Sequence, residues 1–132
     1  MKFAAIASLV LILVMNTKVA NAQAEIGYLS LEPEIVTNYT GSTAKKLGYV
    51  RVSIELMIHD LDQLEIAEHH LPLLRATAIE IFGNQPEDKV KSLTGREDIR
   101  LSIKTKLQEL MTQETGSEIV KDVIFTKYLQ QG

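Results

Sequence analysis

The chain contains no cysteine and no tryptophan. The first absence excludes a disulfide framework, a thiol nucleophile, a cysteine zinc site and a lipid anchor on sulfur. Aromatic residues fill only 5% of the 132 positions, and 17 acids against 14 bases give a formal net charge of −3. A chain poor in stacking rings and negative overall suits no phosphate backbone, so nucleic acid is not expected among its partners. The seven glycines are dispersed (Gly27, Gly41, Gly48, Gly83, Gly95, Gly116, Gly132), with no Gly-rich phosphate loop and no G-x-S-x-G elbow. What is there is a 45% hydrophobic content in a length suited to one domain, enough to bury a core without staples.

Candidate chemistry is sparse. The histidines are His59, His69 and His70. Glu65 and His69 stand four apart, so one helix turn could offer both to a metal, with His59 and Asp60 completing the set. The spacing matches no strong metal motif, and a solvated helix face explains it, so no metal ligand is assigned. Glu87-Asp88 and Glu97-Asp98 are sequence neighbours and diverge on a helix, where acids suit the N-terminus. Ser30, Ser42, Ser53, Ser92, Ser102 and Ser117 have no nucleophile motif around them. No enzyme, catalytic residue or cofactor is therefore expected. Arg75 reads as a snorkelling side chain or an ion-pair partner of Glu68 or Glu80.

The N-terminus reads as an export signal. Phe3 to Met15 contains one polar side chain, Ser8. As a helix these residues would cover roughly 20 Å of a ~30 Å hydrocarbon layer. Asn16-Thr17-Lys18 ends the run, and Val19-Ala20-Asn21-Ala22 supplies an A-x-A ending. This predicts a signal peptide over 1–22, cleaved between Ala22 and Gln23. An uncleaved short anchor, with Lys2 on the cytoplasmic side, and a buried helix of the domain are the competing readings. Membrane contact is expected only if the segment is retained. Residues 1–22 hold two of the bases, Lys2 and Lys18, and none of the acids, so residues 23–132 carry a formal charge of −5.

Residues 23–132 form one domain in the sequence pattern. Leu29, Leu31 and Ile35 share one phase of a strand over 28–39, which Pro33 confines to an edge or breaks. Asn38-Tyr39-Thr40 has the form of a glycosylation sequon and reads as chance beside a turn. Val50, Val52, Ile54, Leu56 and Ile58 alternate with polar residues, interrupted only by Met57, and predict a long half-solvated strand over 49–59. From Asp62 the apolar positions Leu64, Ala67, Leu71, Leu74, Ala78 and Ile81 follow a helical period, with Asp60 or Asp62 as N-cap, Gly83 as stop and Pro72 as a kink or a second start. Pro86 is placed to open a short helix through Val90. Thr94-Gly95-Arg96-Glu97 resembles a capping box for a helix carrying Ile99, Ile103, Leu107, Leu110 and Met111 and ending at Gly116. The consecutive Val123-Ile124-Phe125 predict a last strand, over 119–129, central enough to be covered on both faces. The expected fold is α+β, a small antiparallel or mixed sheet of about three strands with two main helices, in the order β-β-α-α-α-β.

Four stretches carry a family likeness. Tyr28-Leu29-Ser30-Leu31-Glu32-Pro33 looks like a Y-x-x-L-x-P opening, and Tyr49 to Leu56 like a long second strand. Leu71-Pro72-Leu73-Leu74-Arg75 resembles an x-P-x-(I/L)-R helix segment. Val123 to Gln130 is similar to a V-x-F-T-x-(F/Y)-x-x-Q tail, and Leu93 to Arg100 also fits the helix start. In this order and spacing they resemble the FliL family of flagellar basal-body-associated proteins. The resemblance implies a stomatin-like periplasmic domain without a catalytic site, at the inner membrane, that self-assembles and supports stator function in swimming, swarming and chemotaxis. Its implied partners are flagellar stator and basal-body proteins and further copies of itself. Tyr28, Leu31, Pro33, Pro72, Arg75, Phe125, Thr126 and Gln130 would be its structural signature. Family members usually have a basic tail, a helix near twenty residues and a linker, all curtailed here. The rival expectation is a periplasmic binding module for a small ligand or cell-wall component.

Overall fold

The computed structural model describes residues 24–41 and 47–132; the expected signal segment and its cleavage point between Ala22 and Gln23 lie outside them. The fold is α+β, an open antiparallel sheet of four strands with four α-helices over one face. In chain order these are β1 (Gly27–Ser30), β2 (Ile35–Asn38), β3 (Tyr49–Ile58), a 3-10 turn (Leu61–Gln63), α1 (Leu64–His69), α2 (Leu71–Gly83), α3 (Glu87–Lys91), α4 (Leu93–Thr115) and β4 (Val120–Gln131). Among the described residues no helix is long and apolar enough to cross a membrane.

Strand β3 is the axis. Its alternation is realised as written: Val50, Val52, Ile54, Leu56 and Ile58 are all buried. Both β1 and β2 pair antiparallel with one flank of β3, Gly27 opposite Ile58 and Asn38 opposite Tyr49. The expected break at Pro33 therefore divides one strand into two collinear pieces, and the sheet has four strands where about three were expected. No parallel ladder joins the strands, so the mixed alternative falls away.

The last strand corrects the expectation. Among the described residues β4 pairs only with β3 and forms an edge, not a doubly covered centre. Its apolar run is consecutive because the strand is bulged twice. The register jumps from Ile58↔Val120 to Met57↔Asp122, and from Ile54↔Phe125 to Ser53↔Lys127, leaving Lys121 and Thr126 as the extra residues. Val120, Val123, Phe125, Tyr128 and Gln130 consequently face the same side as the buried β3 positions, while Ile124 belongs to the opposite face. Each bulge bends the strand and displaces the period of two by one residue.

One helix end moved, and the others lie where expected. Pro72 starts a second helix: α1 stops at His69, and α2 begins at Leu71 with Pro72 in its first turn, where a missing N–H is harmless. Asp60 caps the 3-10 turn through the Asp62 N–H. α3 opens after Pro86, as expected. The cap of α4 is Ser92, not Thr94: its Oγ accepts from the Gly95 N–H at 2.9 Å. Gly95 lies so close to α3 that a Cβ would collide with the backbone of Lys89. Gly116 ends α4 at φ +80°, the left-handed stop glycine accommodates freely. Leu74, Ala78, Phe82, Ile99, Ile103, Leu107 and Met111 then cover the sheet's inner face.

Candidate functional site

Among the described residues no helix packs on the outer face of the sheet, and apolar side chains lie open there. Tyr28, Val36 and Leu129 are 52%, 53% and 55% exposed. Val36 and Leu129 flank Arg51 of β3 from either side, so they belong to one cross-strand row. Tyr28 sits opposite Met57.

Midway along this face lies the β1–β2 break. Arg75, on α2, reaches the connection and donates from Nε to the Pro33 carbonyl at 2.9 Å and from Nη2 to the Glu34 carbonyl at 3.3 Å. This replaces the expected pairing with Glu68 or Glu80; a fork of N–H donors suits two successive carbonyls left without ladder partners. Leu31 N–H still donates to Ile54 C=O at 2.9 Å, anchoring the near side of the break. Across β3, the Thr126 hydroxyl donates to the Ser53 carbonyl at 3.3 Å. Lys127 lies 3.2 Å from the Glu34 carboxylate, bridging the two flanks over the top of β3. Break and bulge thus stand at the same level of the sheet. Between them is a cleft of about 360 Å³ lined by Ser30, Glu32, Pro33, Glu34, Ser53 and Thr126.

The signature residues divide into two groups. Leu31, Pro33, Arg75 and Thr126 converge on this junction. Pro72 is exposed at the start of α2, one turn before Arg75. Phe125 joins Phe82 and Tyr128 in a cluster with centroids 5.6–6.1 Å apart, Tyr28 stands on the open face, and Gln130 is exposed near the end of the edge strand. His59 lies 3.4 Å from Glu118, whereas Glu65 and His69 are exposed on α1, away from both. No set of three metal-type side chains gathers among the described residues.

The free edge of β4 has its own fittings, which sequence reasoning did not assemble. Arg96, Arg100, Lys104 and Gln108 recur at four-residue intervals and so form one row along α4. Gln108 donates to the Val120 carbonyl at 3.0 Å, and Arg100 to the Val123 carbonyl at 3.0 Å and to Asp122 at 2.7 Å. Lys104 stands 3.8 Å from Asp122. The Asp122 carboxylate accepts the Val123 N–H at 2.8 Å. Burial works to raise the Asp122 carboxyl, but the Val123 N–H, Arg100 and Lys104 together hold it below its ordinary value. Glu97, bonded to Arg100, is held low as well. The four-residue repeat was the signal available in the sequence; its target, 22 residues away at Asp122, was not.

The family model described as "Flagellar basal body-associated protein FliL" matches residues 28–131. A relative described as "Flagellar protein FliL", from Aquifex aeolicus (strain VF5), is 27% identical over 114 residues, which cover 86% of this chain and 66% of the relative. The chain thus spans just under two thirds of that relative's length.

Proposed function

Because the chain belongs to the FliL family of flagellar basal body-associated proteins, we propose that it is an exported, non-catalytic component of the flagellar base that supports stator and motor function through protein–protein contacts. The observation that carries this reading is the extent of the family match, which runs from β1 to the end of β4 and takes in every helix among the described residues. The match covers a whole folding unit, so the likeness is one of architecture and not of a short motif. We read that architecture as the stomatin-like domain the family implies.

The leader supports delivery out of the cytoplasm. An apolar run from Phe3 to Met15 followed by Ala20-Asn21-Ala22 is what the export machinery and its peptidase read. Release after Ala22 would leave a periplasmic domain beginning at Gln23. Self-association belongs to the same reading, since an open sheet with exposed apolar residues offers a pairing surface.

Deleting the gene and measuring swimming and swarming under rising viscous load tests the proposal. Slower swimming that worsens with load, restored by the full chain, is the expected result. Unchanged motility at every load would overturn it. N-terminal sequencing of the protein from cells is expected to begin at Gln23, and a start at Met1 would replace cleavage by a retained anchor.

A further inference from the structure

We infer that the outward edge of β4 from Phe125 to Gln130, together with Arg96, docks an extended segment of another protein that adds as a strand and sets a carboxylate on Arg96. The inference goes beyond the flagellar reading and does not depend on it.

The ladder fixes which groups face outward. Leu31 N–H donates to Ile54 C=O, so the backbone groups of Ile54 face the β1–β2 flank. Ser53 and Glu55 therefore face β4, and their partners Lys127 and Ile124 face back. Val123, Phe125, Tyr128 and Gln130, opposite Leu56, Ile54, Val52 and Val50, turn their N–H and C=O groups outward. At Val120 and Val123 those groups are taken by Gln108, Arg100 and Asp122. Beyond Val123, no described side chain bonds the outward groups of Phe125, Tyr128 or Gln130. The edge is sealed in its first half and open in its second.

Arg96 is the member of the α4 row that falls beside the open half. Its guanidinium carbon lies 4.3 Å from the centroid of the Tyr128 ring. The Tyr128 hydroxyl is itself fixed to the Val90 carbonyl at 2.7 Å. Unlike Arg100, Arg96 has no ion-pair partner among the described residues, and its Nε is buried without an acceptor. Nε is covered, but Arg96 as a whole is only half-buried, so its Nη groups, beside free strand groups, can meet an acceptor that arrives with a strand. A carboxylate supplies that acceptor with a charge-assisted bond. A second copy pairing through the same edge does not: residues 124–132 contain Lys127 and no acid, so it would set cation against cation.

The test uses the full chain, purified in mild detergent, and a random decapeptide library displayed on phage. The selected decapeptides are expected to share Asp or Glu at one position of an alternating, β-prone frame. A synthetic copy of the leading sequence should bind at least tenfold more weakly when its acid is replaced by the amide. It should also weaken at least tenfold against Arg96→Gln. Arg96→Lys should restore part of the affinity, which separates charge from packing. Hydrogen exchange should show new protection at Phe125, Tyr128 and Gln130 on peptide addition, and none at Val123. Failure to select an acidic frame, equal affinity for Arg96→Gln, or protection appearing elsewhere would overturn the proposal. So would protection of the same three amides that rises with protein concentration alone, because a second copy would then hold the edge.

Discussion

The two flanks of β3 solve one problem in different ways. On one side lie two short strands separated by Pro33, on the other a single twelve-residue strand bent by two bulges. Each flank leaves backbone carbonyls that the ladder cannot use, and each receives an arginine from a helix beneath it. Arg75 serves Pro33 and Glu34, while Arg100 serves Val123 and Asp122. The difference is charge. Arg75 meets neutral carbonyls only, whereas Arg100 also compensates a carboxylate that the fold has drawn partly out of water. Part of each side of a narrow sheet can therefore be closed by helix side chains, and the strength of each closure depends on what stands opposite the guanidinium.

The comparison is broken most thoroughly by removing what both flanks share. Leu56→Ala in β3 deletes a fully buried side chain and should cost about 3 kcal/mol, within the range for large-to-small core changes, as read by urea unfolding. Next in size is Arg100→Leu, which leaves Asp122 with the Val123 N–H and the more distant Lys104. It should cost about 1–2 kcal/mol, the exposed part of the pair being discounted for solvent. Arg75→Leu frees two neutral carbonyls and should cost about 1 kcal/mol. The two arginines share no bonding partner, so the double variant should lose close to the sum, and strong coupling in a double-mutant cycle would show that the flanks are not independent.

The smallest effect is one of pH. Asp122 and Glu97 are both held below their ordinary values. A depressed carboxyl contributes stability that is present above its unfolded value, ordinarily near 4, and disappears as pH falls through the lower, folded one. Unfolding followed from pH 6 down to pH 2 should therefore show an acid-side loss that is reduced in Asp122→Asn. Arg75→Leu should leave the shape of that profile unchanged, which sharpens the contrast between the flanks.

Much of this layout was legible in the residues. The alternation from Val50 to Ile58 specified β3 and its buried face, and Pro33 and Pro72 marked real interruptions, because a missing N–H acts locally. The cap at Ser92 was hidden by a better-looking Thr94-Glu97 pair, although Ser92 and Gly95 stand at the spacing its cap bond needs. β4 was misjudged for a different reason. Inserting Lys121 and Thr126 keeps Val120, Val123, Phe125 and Tyr128 inward while destroying the regular period, and a bulge leaves no mark in composition. Ile119 is a further case: buried, β-branched and at φ +59°, it occupies a conformation its residue type disfavours. Its carbonyl accepts the His59 N–H at 3.0 Å, a contact local sequence cannot foresee. The arginine fittings were hidden because their acceptors are distant in the chain.

The register has a mechanical consequence. Gly27 begins β1 beside Ile58 at one pole of the sheet, and Gln131 ends β4 beside Tyr49 at the other. The ten residues of β3 between them span roughly 30 Å. Tension applied between Gly27 and Gly132 would draw β1 and β4 in opposite directions along β3. The ladders would then be loaded in shear, many rungs at once, and could not be unzipped one rung at a time. Such a domain resists stretching along its length far better than peeling from its side.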